Sequence, residues 1–225
     1  MSSTNRGGSV RDPDDFFATP SWCTRALLPK LGRLDNHRIL EPSAGRGDIA
    51  RVLLNSGAWS TQMTLVERDV GRAALLEREG SGLTIICDDF LRVSPEEIDA
   101  VDLVVMNPPF AHAQAHIEHA LRMLVKGGRC AVLLRLAFCT GSKRAPFREA
   151  HPFDLYPLAS RPSFTAEALK WMTEVDLQAI AKPDETLDQV RKRMKGSDSA
   201  DYAWLVFTDG GPGGRFEVLN TARNS

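Results

Sequence analysis

Short, almost continuous apolar stretches alternate with segments of helical periodicity along much of this chain. The apolar stretches predict strands at residues 38–41, 63–66, 83–87, 101–106 and 129–136, and a later one at 201–208. The segments between them predict helices at residues 48–56, 70–78 and 112–125. Strands that alternate with helices at this spacing form βαβ units, and strands without polar residues are typical of a sheet covered on both faces. We therefore expect an α/β fold with a mostly parallel central sheet and helices on both faces.

The length and composition of the chain suit one compact domain. It has 225 residues, of which 43% are hydrophobic, and this is enough for a sizeable core. We expect a disordered tail at residues 1–15, a single domain over residues 16–210 and a C-terminal tail at residues 211–225. Within the domain, the polar and charged residues 182–200 predict a mobile loop or a short exposed helix.

Several classes of protein are disfavoured by features that the sequence lacks. No apolar run approaches the roughly 20 residues that cross a membrane, and residues 1–11 lack the apolar core of a signal peptide. The four cysteines have neither C-x-x-C pairs nor a zinc-like spacing with histidine, so we expect reduced thiols and no metal site. His112, His116 and His119 are expected at the protein surface. These features favour a cytoplasmic protein with no membrane partner.

The net charge of −1 is the sum of two unlike halves. Residues 1–121 hold 12 Lys and Arg against 17 Asp and Glu, and residues 122–225 hold the remaining 16 against 12. Seven basic residues and no acidic one lie between Arg122 and Arg148. This asymmetry indicates a side that faces a polyanion, although an ordinary solvated surface also explains it.

The first strand leads into a turn of small residues before the next helix. This turn comprises Glu41, Pro42, Ser43, Ala44, Gly45, Arg46 and Gly47. Small residues let a ligand approach the backbone, and the N-terminus of a helix offers N–H groups to an anionic group. Glu67 ends the second strand, where an acid can accept both hydroxyls of a ribose. Together the two features favour a cofactor that contains a nucleoside, and the turn alone is also compatible with a dinucleotide.

The most specific motif is Asn107-Pro108-Pro109-Phe110, at the end of the fourth strand. Two consecutive prolines fix φ and remove two backbone donors, so the chain is stiff where it leaves the strand. A stiff segment holds the carbonyl groups of Asn107 and its neighbours in place, and these can accept the hydrogens of an exocyclic NH₂ group. The ring of Phe110 can stack on a planar substrate.

These motifs resemble the class I S-adenosylmethionine-dependent amino-methyltransferases, which have a Rossmann-like fold. The sequence is most similar to the N6-adenine DNA methyltransferases whose cofactor motif comes first, and the resemblance covers roughly residues 16–136. It implies that S-adenosylmethionine is bound by Thr19, Pro20, Glu41, Pro42, Ser43, Ala44, Gly45, Gly47, Glu67, Arg68, Asp88, Asp89, Phe90 and Asn107. Within this set, Glu67 would bind the ribose and Asp89 and Phe90 the adenine. The catalytic motif would be Asn107, Pro108, Pro109 and Phe110.

A looser resemblance extends to small stand-alone methyltransferases of phages and prophages. It is carried by residues 134–138, 141–144, 161–164 and 201–204. Little more than 80 residues follow the fifth strand, so we expect no target-recognition domain like that of the larger restriction-type enzymes. We therefore expect low or short-site sequence specificity. The resemblance implies a cytoplasmic location in a bacterium or a phage-infected cell, and the sequence leaves the oligomeric state open between a monomer and a weak dimer.

The resemblance implies direct methyl transfer to a base that has been flipped out of duplex DNA. Asn107 and the Pro108 carbonyl would hold the amino group, and Phe110 would stack on the base. Phe138 or Phe164 could supply a second stacking face, although core packing explains these two equally well. The basic residues expected to contact phosphate are Lys143, Arg144 and Arg148, or else they form a solvated loop.

Two other interpretations remain open. The substrate could be another planar amine, such as cytosine N4, guanine N2 in RNA or a glutamine side chain, because the Asn-Pro-Pro motif recognises an NH₂ group rather than adenine. The chain could also be a binding module that keeps the fold without the activity. The acids at the strand ends and Asn107 argue against the second interpretation, and a nucleotide-binding oxidoreductase has no use for the Asn-Pro-Pro-Phe motif.

Overall fold

The protein is built around one seven-stranded sheet. The computed structural model describes residues 18–196 and 198–220, so the tail expected at residues 1–15 lies outside the described residues. The strands are β1 (Ile39–Pro42), β2 (Met63–Val66), β3 (Thr84–Ile86), β4 (Val101–Met106), β5 (Leu124–Arg135), β6 (Phe153–Pro157) and β7 (Tyr202–Thr208). Their order across the sheet is β3-β2-β1-β4-β5-β7-β6. The strands β1 to β5 pair in parallel, and β7 runs antiparallel to both of its neighbours. The expected mostly parallel sheet is confirmed.

Helices cover both faces of this sheet. They are α1 (Ser21–Leu31), α2 (Asp48–Leu54), α3 (Val70–Glu79), α4 (Ala113–Leu121), α5 (Ala145–Ala150), α6 (Phe164–Ala168), α7 (Glu174–Ala179) and α8 (Leu187–Met194). Successive strand residues point to opposite faces, so Leu133 belongs to one hydrophobic core and Leu134 to the other. The first core also contains Leu27 of α1 and Leu53 of α2, whereas the second contains Ile117 of α4.

The fifth strand begins earlier than the sequence predicts. The helix expected at 112–125 ends at Leu121, and β5 already begins at Leu124. Gly127 and Gly128 lie within β5, where the pairing register with β4 shifts between Val101 and Leu103. Gly127 has a φ of 76°, which a glycine adopts without strain.

Two late segments are more ordered than predicted. Residues 182–200 contain α8, and this helix is not simply exposed, because Val190 and Met194 pack with Leu177 of α7 in a small hydrophobic cluster. Residues 211–220 do not form a free tail. Phe216 and Leu219 pair with Leu155 and Leu158 at the edge of β6, and Leu219 is buried. The strand β6 itself was not predicted.

Two kinds of feature are missing from the part of the chain that the structure describes. None of its helices has the length and apolar character needed to cross a membrane. Among the same residues, no group of three His, Cys, Asp or Glu side chains is arranged to hold a metal ion.

Candidate active site

A cleft that is partly open to solvent lies at the carboxyl ends of β1 to β4. This is the edge where parallel α/β sheets bind their ligands. Twelve predicted site residues line the cleft: Thr19, Glu41, Ser43, Ala44, Gly45, Glu67, Arg68, Asp88, Asp89, Phe90, Asn107 and Pro109. The predicted residues Pro20, Pro42, Gly47, Pro108 and Phe110 adjoin it in sequence without lining it. The structure therefore brings most of the residues from four separate strand ends to one cavity.

The small-residue turn between β1 and α2 is held in a conformation that few residues adopt easily. Ser43, Gly45 and Gly47 have φ values of 61°, 60° and 74°. A side chain at Gly47 would also meet Leu76 of α3, since an added Cβ would lie 2.9 Å from its Cδ2 atom. The glycines let the backbone curl tightly around one wall of the cleft.

Glu67, just after β2, accepts a hydrogen bond from this turn, and Glu41 of β1 accepts one from the start of α2. Glu41 is fully buried, and its Oε2 atom accepts the Ala50 N–H at 2.7 Å. Burial raises the pKa of Glu41 well above its ordinary value, an effect that the hydrogen bond from Ala50 only partly offsets. Glu67 accepts the Gly45 N–H at 2.7 Å through its own Oε2 atom. The two carboxylates therefore shape the turn as well as line the cleft.

The carboxylate of Glu67 is the more heavily engaged of the two. Its Oε1 atom accepts the Asp69 N–H at 2.9 Å and Nε–H of Arg72 at 3.2 Å. With the Gly45 bond, three of the roughly four lone-pair positions of a carboxylate are used. One position remains on Oε2 for a hydroxyl group in the cleft.

Asn107 lies at the centre of the carboxyl edge, just after β4. Its Nδ2 atom donates to the Thr19 hydroxyl at 3.0 Å, although the two residues are 88 positions apart. Thr19 immediately precedes the Pro20-α1 junction and is buried. Because the amide nitrogen is held by Thr19, the plane of the Asn107 side chain is fixed in the cleft.

The segment after β3 forms the opposite wall of the cleft. Asp89 accepts the Leu91 N–H at 3.0 Å, and Asp88 accepts the Asp89 N–H at 2.6 Å, so these bonds stabilise a tight turn. Phe90 is buried and reaches both the second core and the cleft. Its ring centroid lies 5.6 Å from that of His116.

The expectation of surface histidines is wrong for two of the three. His112 is exposed, but His116 and His119 are only 4% and 6% exposed. The ring nitrogens of His116 and His119 lie 3.1 Å and 2.8 Å from the backbone oxygens of His112 and Val93. Burial is the main cause of a lowered pKa for His116, so its ring is neutral at neutral pH.

Sequence reasoning missed seven residues of the cleft lining: Asp48, Ile49, Val66, Arg72, Leu91, His112 and His116. Asp48, Val66 and Leu91 are each next in sequence to a predicted site residue. His116 could have been found from its spacing, because it lies one helical turn after His112 and on the same side of α4 as the buried Ala113, Ile117 and Ala120.

The three aromatic candidates for substrate stacking occupy different places. Phe110, the last residue of the Asn-Pro-Pro-Phe segment, is partly buried and packs against both cores. Phe138 belongs to the second core, where it meets Phe147, and Phe164 belongs to the first core, where it meets Tyr202. The structure thus places Phe138 and Phe164 in packing roles, the alternative that the sequence had left open.

The basic run between Arg122 and Arg148 is not one continuous charged surface. Arg129 donates to the backbone oxygens of Lys30 and Leu31 at the end of α1, and Arg122 contacts His119. Lys143, Arg144 and Arg148 form a separate group around the start of α5. In this group Lys143 is exposed, Arg144 lies over the ring of Phe138 and Arg148 donates to the Gly141 carbonyl.

Comparisons with known proteins identify the fold. No protein-family model matches the sequence, and no curated protein matches it either. Among solved structures, a proposed class I S-adenosylmethionine-dependent methyltransferase from Listeria monocytogenes is similar with a TM-score of 0.61 and 15% identity, over 96% of this chain and 68% of that one. The modification subunit of a proposed type I restriction enzyme from Vibrio vulnificus has a TM-score of 0.60 and 15% identity, over 93% of this chain and 48% of that one.

A third solved structure is a proposed RNA methyltransferase from Pyrococcus horikoshii. It has a TM-score of 0.59 and 15% identity, and the alignment covers 91% of each chain. Identities this low show the fold alone. The chain has the Rossmann-like fold of class I S-adenosylmethionine-dependent methyltransferases, as the sequence motifs imply.

Proposed function

We propose that this protein is an S-adenosylmethionine-dependent methyltransferase that acts on an exocyclic amino nitrogen, with adenine N6 in DNA as its target. The observation that carries this proposal is the position of Asn107 in the cleft that Glu41, Glu67 and Asp89 also line. Acids at three strand ends offer hydrogen-bond acceptors to the hydroxyl and amino groups of a nucleoside cofactor, and an Asn-Pro-Pro motif at a fourth strand end suits a methyl-accepting NH₂ group.

The residues of the cleft fit S-adenosylmethionine. The glycine-rich turn supplies a close backbone approach, and the remaining acceptor position of Glu67 can take a ribose hydroxyl. Asp89 and Phe90 are suited to hold the adenine ring, one by hydrogen bonding and the other by packing. When bound, the cofactor supplies a methyl group on a positively charged sulfur atom.

Asn107 and Pro108 are the residues proposed to prepare the accepting amine. An exocyclic amine is a poor nucleophile because its lone pair is conjugated with the ring. Hydrogen bonds from its two N–H groups to the Asn107 side chain and the Pro108 carbonyl favour a pyramidal nitrogen and direct the lone pair. The hydrogen bond from Asn107 to the Thr19 hydroxyl keeps the amide plane fixed. The increase in reaction rate then comes from positioning and electrostatics.

Two features favour nucleic acid as the substrate. Phe110 ends the Asn-Pro-Pro-Phe motif and is suited to stack on a flipped base. Lys143, Arg144 and Arg148 form a compact basic group that suits phosphate contacts, which add affinity without reading sequence. The similar Vibrio protein is named as a modification subunit of a restriction enzyme, and this agrees with DNA.

RNA is the second candidate substrate, because a proposed RNA methyltransferase is similar over 91% of this chain. In that case the Asn-Pro-Pro motif would hold a guanine amine, and the basic group would bind RNA phosphates in the same way. The contacts that Asn107 and Pro108 offer to an NH₂ group do not distinguish the two targets.

The experiment is methyl transfer from tritium-labelled S-adenosylmethionine to unmethylated duplex DNA, single-stranded DNA, RNA and protein in parallel. Mass spectrometry of the digested nucleosides then identifies the product. We expect N6-methyladenine from DNA. Label in RNA or protein alone contradicts the DNA assignment, and cofactor binding without any transfer favours a binding module that has lost the activity.

A further inference from the structure

A cation lies against the ring of Phe110. The guanidinium carbon of Arg135 is 5.2 Å from the ring centroid, within the range of a cation–π contact. Arg135 is the last residue of β5, and Phe110 follows the end of the neighbouring strand β4. Because Met106 of β4 pairs with Val132 of β5, the two strand ends lie side by side at the carboxyl edge. The register of the sheet therefore sets this contact.

The guanidinium of Arg135 is itself held by a closed network. Its Nε–H group donates to the Tyr202 hydroxyl at 3.1 Å, and its Nη2 atom lies 3.5 Å from the Asp198 carboxylate. The Tyr202 hydroxyl in turn donates to Asp198 at 2.7 Å. Burial raises the pKa of Tyr202, so its hydroxyl stays protonated and keeps this donor. The network fixes the direction in which Arg135 can present its planar cation.

Phe110 is supported from a second direction by Tyr202. The two ring centroids are 5.9 Å apart at an interplanar angle of 48°, and Tyr202 packs edge-on against Phe164. Tyr202 and Arg135 are direct partners across the antiparallel pairing of β5 with β7. These two supports of Phe110 come from adjacent strands of the sheet, which hold side chains more rigidly than loops do.

We propose that Arg135 is a positioning residue that fixes the ring of Phe110 in the orientation needed to stack on the planar amine. The inference rests on the proposed function, in which Phe110 is the stacking residue. Arginine suits this role because its planar guanidinium can lie on a ring while its N–H groups donate in its own plane. Tyr202 and Asp198 engage Nε–H and Nη2 of this group, so its plane is held against the ring of Phe110.

The kinetic test compares Arg135→Ala and Arg135→Lys with Arg38→Ala as a matched control. The side chains of Arg38 and Arg135 are 46% and 47% exposed, and each has a carboxylate partner, at 3.7 Å and 3.5 Å. Arg38 precedes β1, at the opposite edge of the sheet. We expect both Arg135 variants to lower kcat roughly 10- to 100-fold with an unchanged Kd for the cofactor, because a small misplacement of the stacking ring costs this much. An unchanged kcat, or full rescue by lysine, overturns the inference.

The orientation of the ring can be read without any activity. In protein labelled with 4-fluorophenylalanine, the ¹⁹F signal of Phe110 is identified by its loss in Phe110→Leu. We expect this signal to shift or broaden in Arg135→Ala and to stay unchanged in Arg38→Ala. A ¹⁹F signal of Phe110 that is the same in Arg135→Ala as in the wild type overturns the inference. If wild-type protein transfers no methyl group at all, the proposed function fails, but the ¹⁹F signal still decides whether Arg135 holds the ring.

Tyr202→Phe provides an independent variant if Arg135→Ala does not fold. This change keeps the ring and removes the hydroxyl that accepts from Arg135. We expect a smaller loss of kcat than in Arg135→Ala and a shift of the same ¹⁹F signal. The double variant Arg135→Ala/Tyr202→Phe should lose no more than Arg135→Ala alone, because the two residues act through one network. Fully additive losses contradict a shared role.

Discussion

At the scale of single residues, two buried acidic side chains shape the cleft. Glu41 and Glu67 end neighbouring strands, and each accepts a backbone N–H, Glu67 from Gly45 in the small-residue turn and Glu41 from Ala50 in α2. A buried carboxylate is costly unless it is hydrogen-bonded, so these bonds permit two acids to remain inside the protein. The same residues that fold the turn are then available to a ligand.

Glu41 gives a prediction for stability against pH. Burial raises the pKa of Glu41 in the folded protein, so the folded state keeps this proton to a higher pH than the unfolded state does. The contribution of Glu41 to the free energy of unfolding is therefore greatest below the ordinary glutamate pKa, and it decreases as the pH rises above that value. Glutamine does not titrate, so Glu41→Gln should gain about 1 kcal/mol or more relative to wild type between pH 5 and pH 8.

Denaturant titration at the two pH values measures this difference. Glu118→Gln, on the exposed side of α4, is the matched control and should show no such gain. A Glu41→Gln stability that runs parallel to the wild type between pH 5 and pH 8 would contradict the burial argument.

Residues at strand ends could be predicted from sequence, whereas residues fixed by distant packing could not. Glu67 and Asn107 were found because each follows an apolar run, and parallel strands end at one edge. The role of Arg135 depends on Tyr202, which lies 67 positions away and pairs with it only in the folded sheet. Local periodicity carries no information about such a pair.

At the scale of elements, the strands buried on both faces were predicted best. The bounds of β2 and β4 agree with the predicted 63–66 and 101–106, because each is a short apolar run between polar residues. The strand β6 was missed because it contains Asp154, ends in Pro157 and lies at the edge of the sheet. Proline is tolerated at such an edge, but it weakens the sequence pattern of a strand.

The short basic element before α5 gives a second prediction. The double variant Lys143→Ala/Arg144→Ala should weaken DNA binding and reduce the slope of log Kd against log salt by about 1 to 2. The reason is that binding releases about one counterion fewer for each phosphate contact that is lost. The control is Lys192→Ala/Lys195→Ala, which removes the same charge from the exposed end of α8. Titrations at several salt concentrations measure both slopes. An unchanged slope in the first variant, or an equal drop in the control, removes this element from the proposed interface.

At the scale of the whole molecule, the sheet separates two hydrophobic cores. The adjacent residues Leu133 and Leu134 of β5 are both buried but belong to different cores. Leu133→Ala and Leu134→Ala should therefore each lower the free energy of unfolding by about 2–5 kcal/mol. Denaturant unfolding measures both. If either variant stays within about 1 kcal/mol of the wild type, one face of the sheet is not covered as the structure has it.

Acidic and basic residues are concentrated in different halves of the sequence, and the two sets have different proposed roles. The acids that line the cleft belong to the half with 12 basic and 17 acidic residues, and they are Glu41, Asp48, Glu67, Asp88 and Asp89. The basic group at Lys143, Arg144 and Arg148 belongs to the other half, with 16 basic and 12 acidic residues. A net charge of −1 is therefore compatible with the proposed binding of DNA.

The most direct test of the proposed function is the amount of N6-methyladenine formed in duplex DNA by Asn107→Ala, measured together with cofactor binding by calorimetry. Asn55→Ala, at an exposed position after α2, is the matched control. We predict that Asn107→Ala binds S-adenosylmethionine within a few fold of the wild type and forms at least about 100-fold less product, whereas Asn55→Ala matches the wild type in both. Wild-type levels of N6-methyladenine from Asn107→Ala would contradict the assignment of this motif as the catalytic centre.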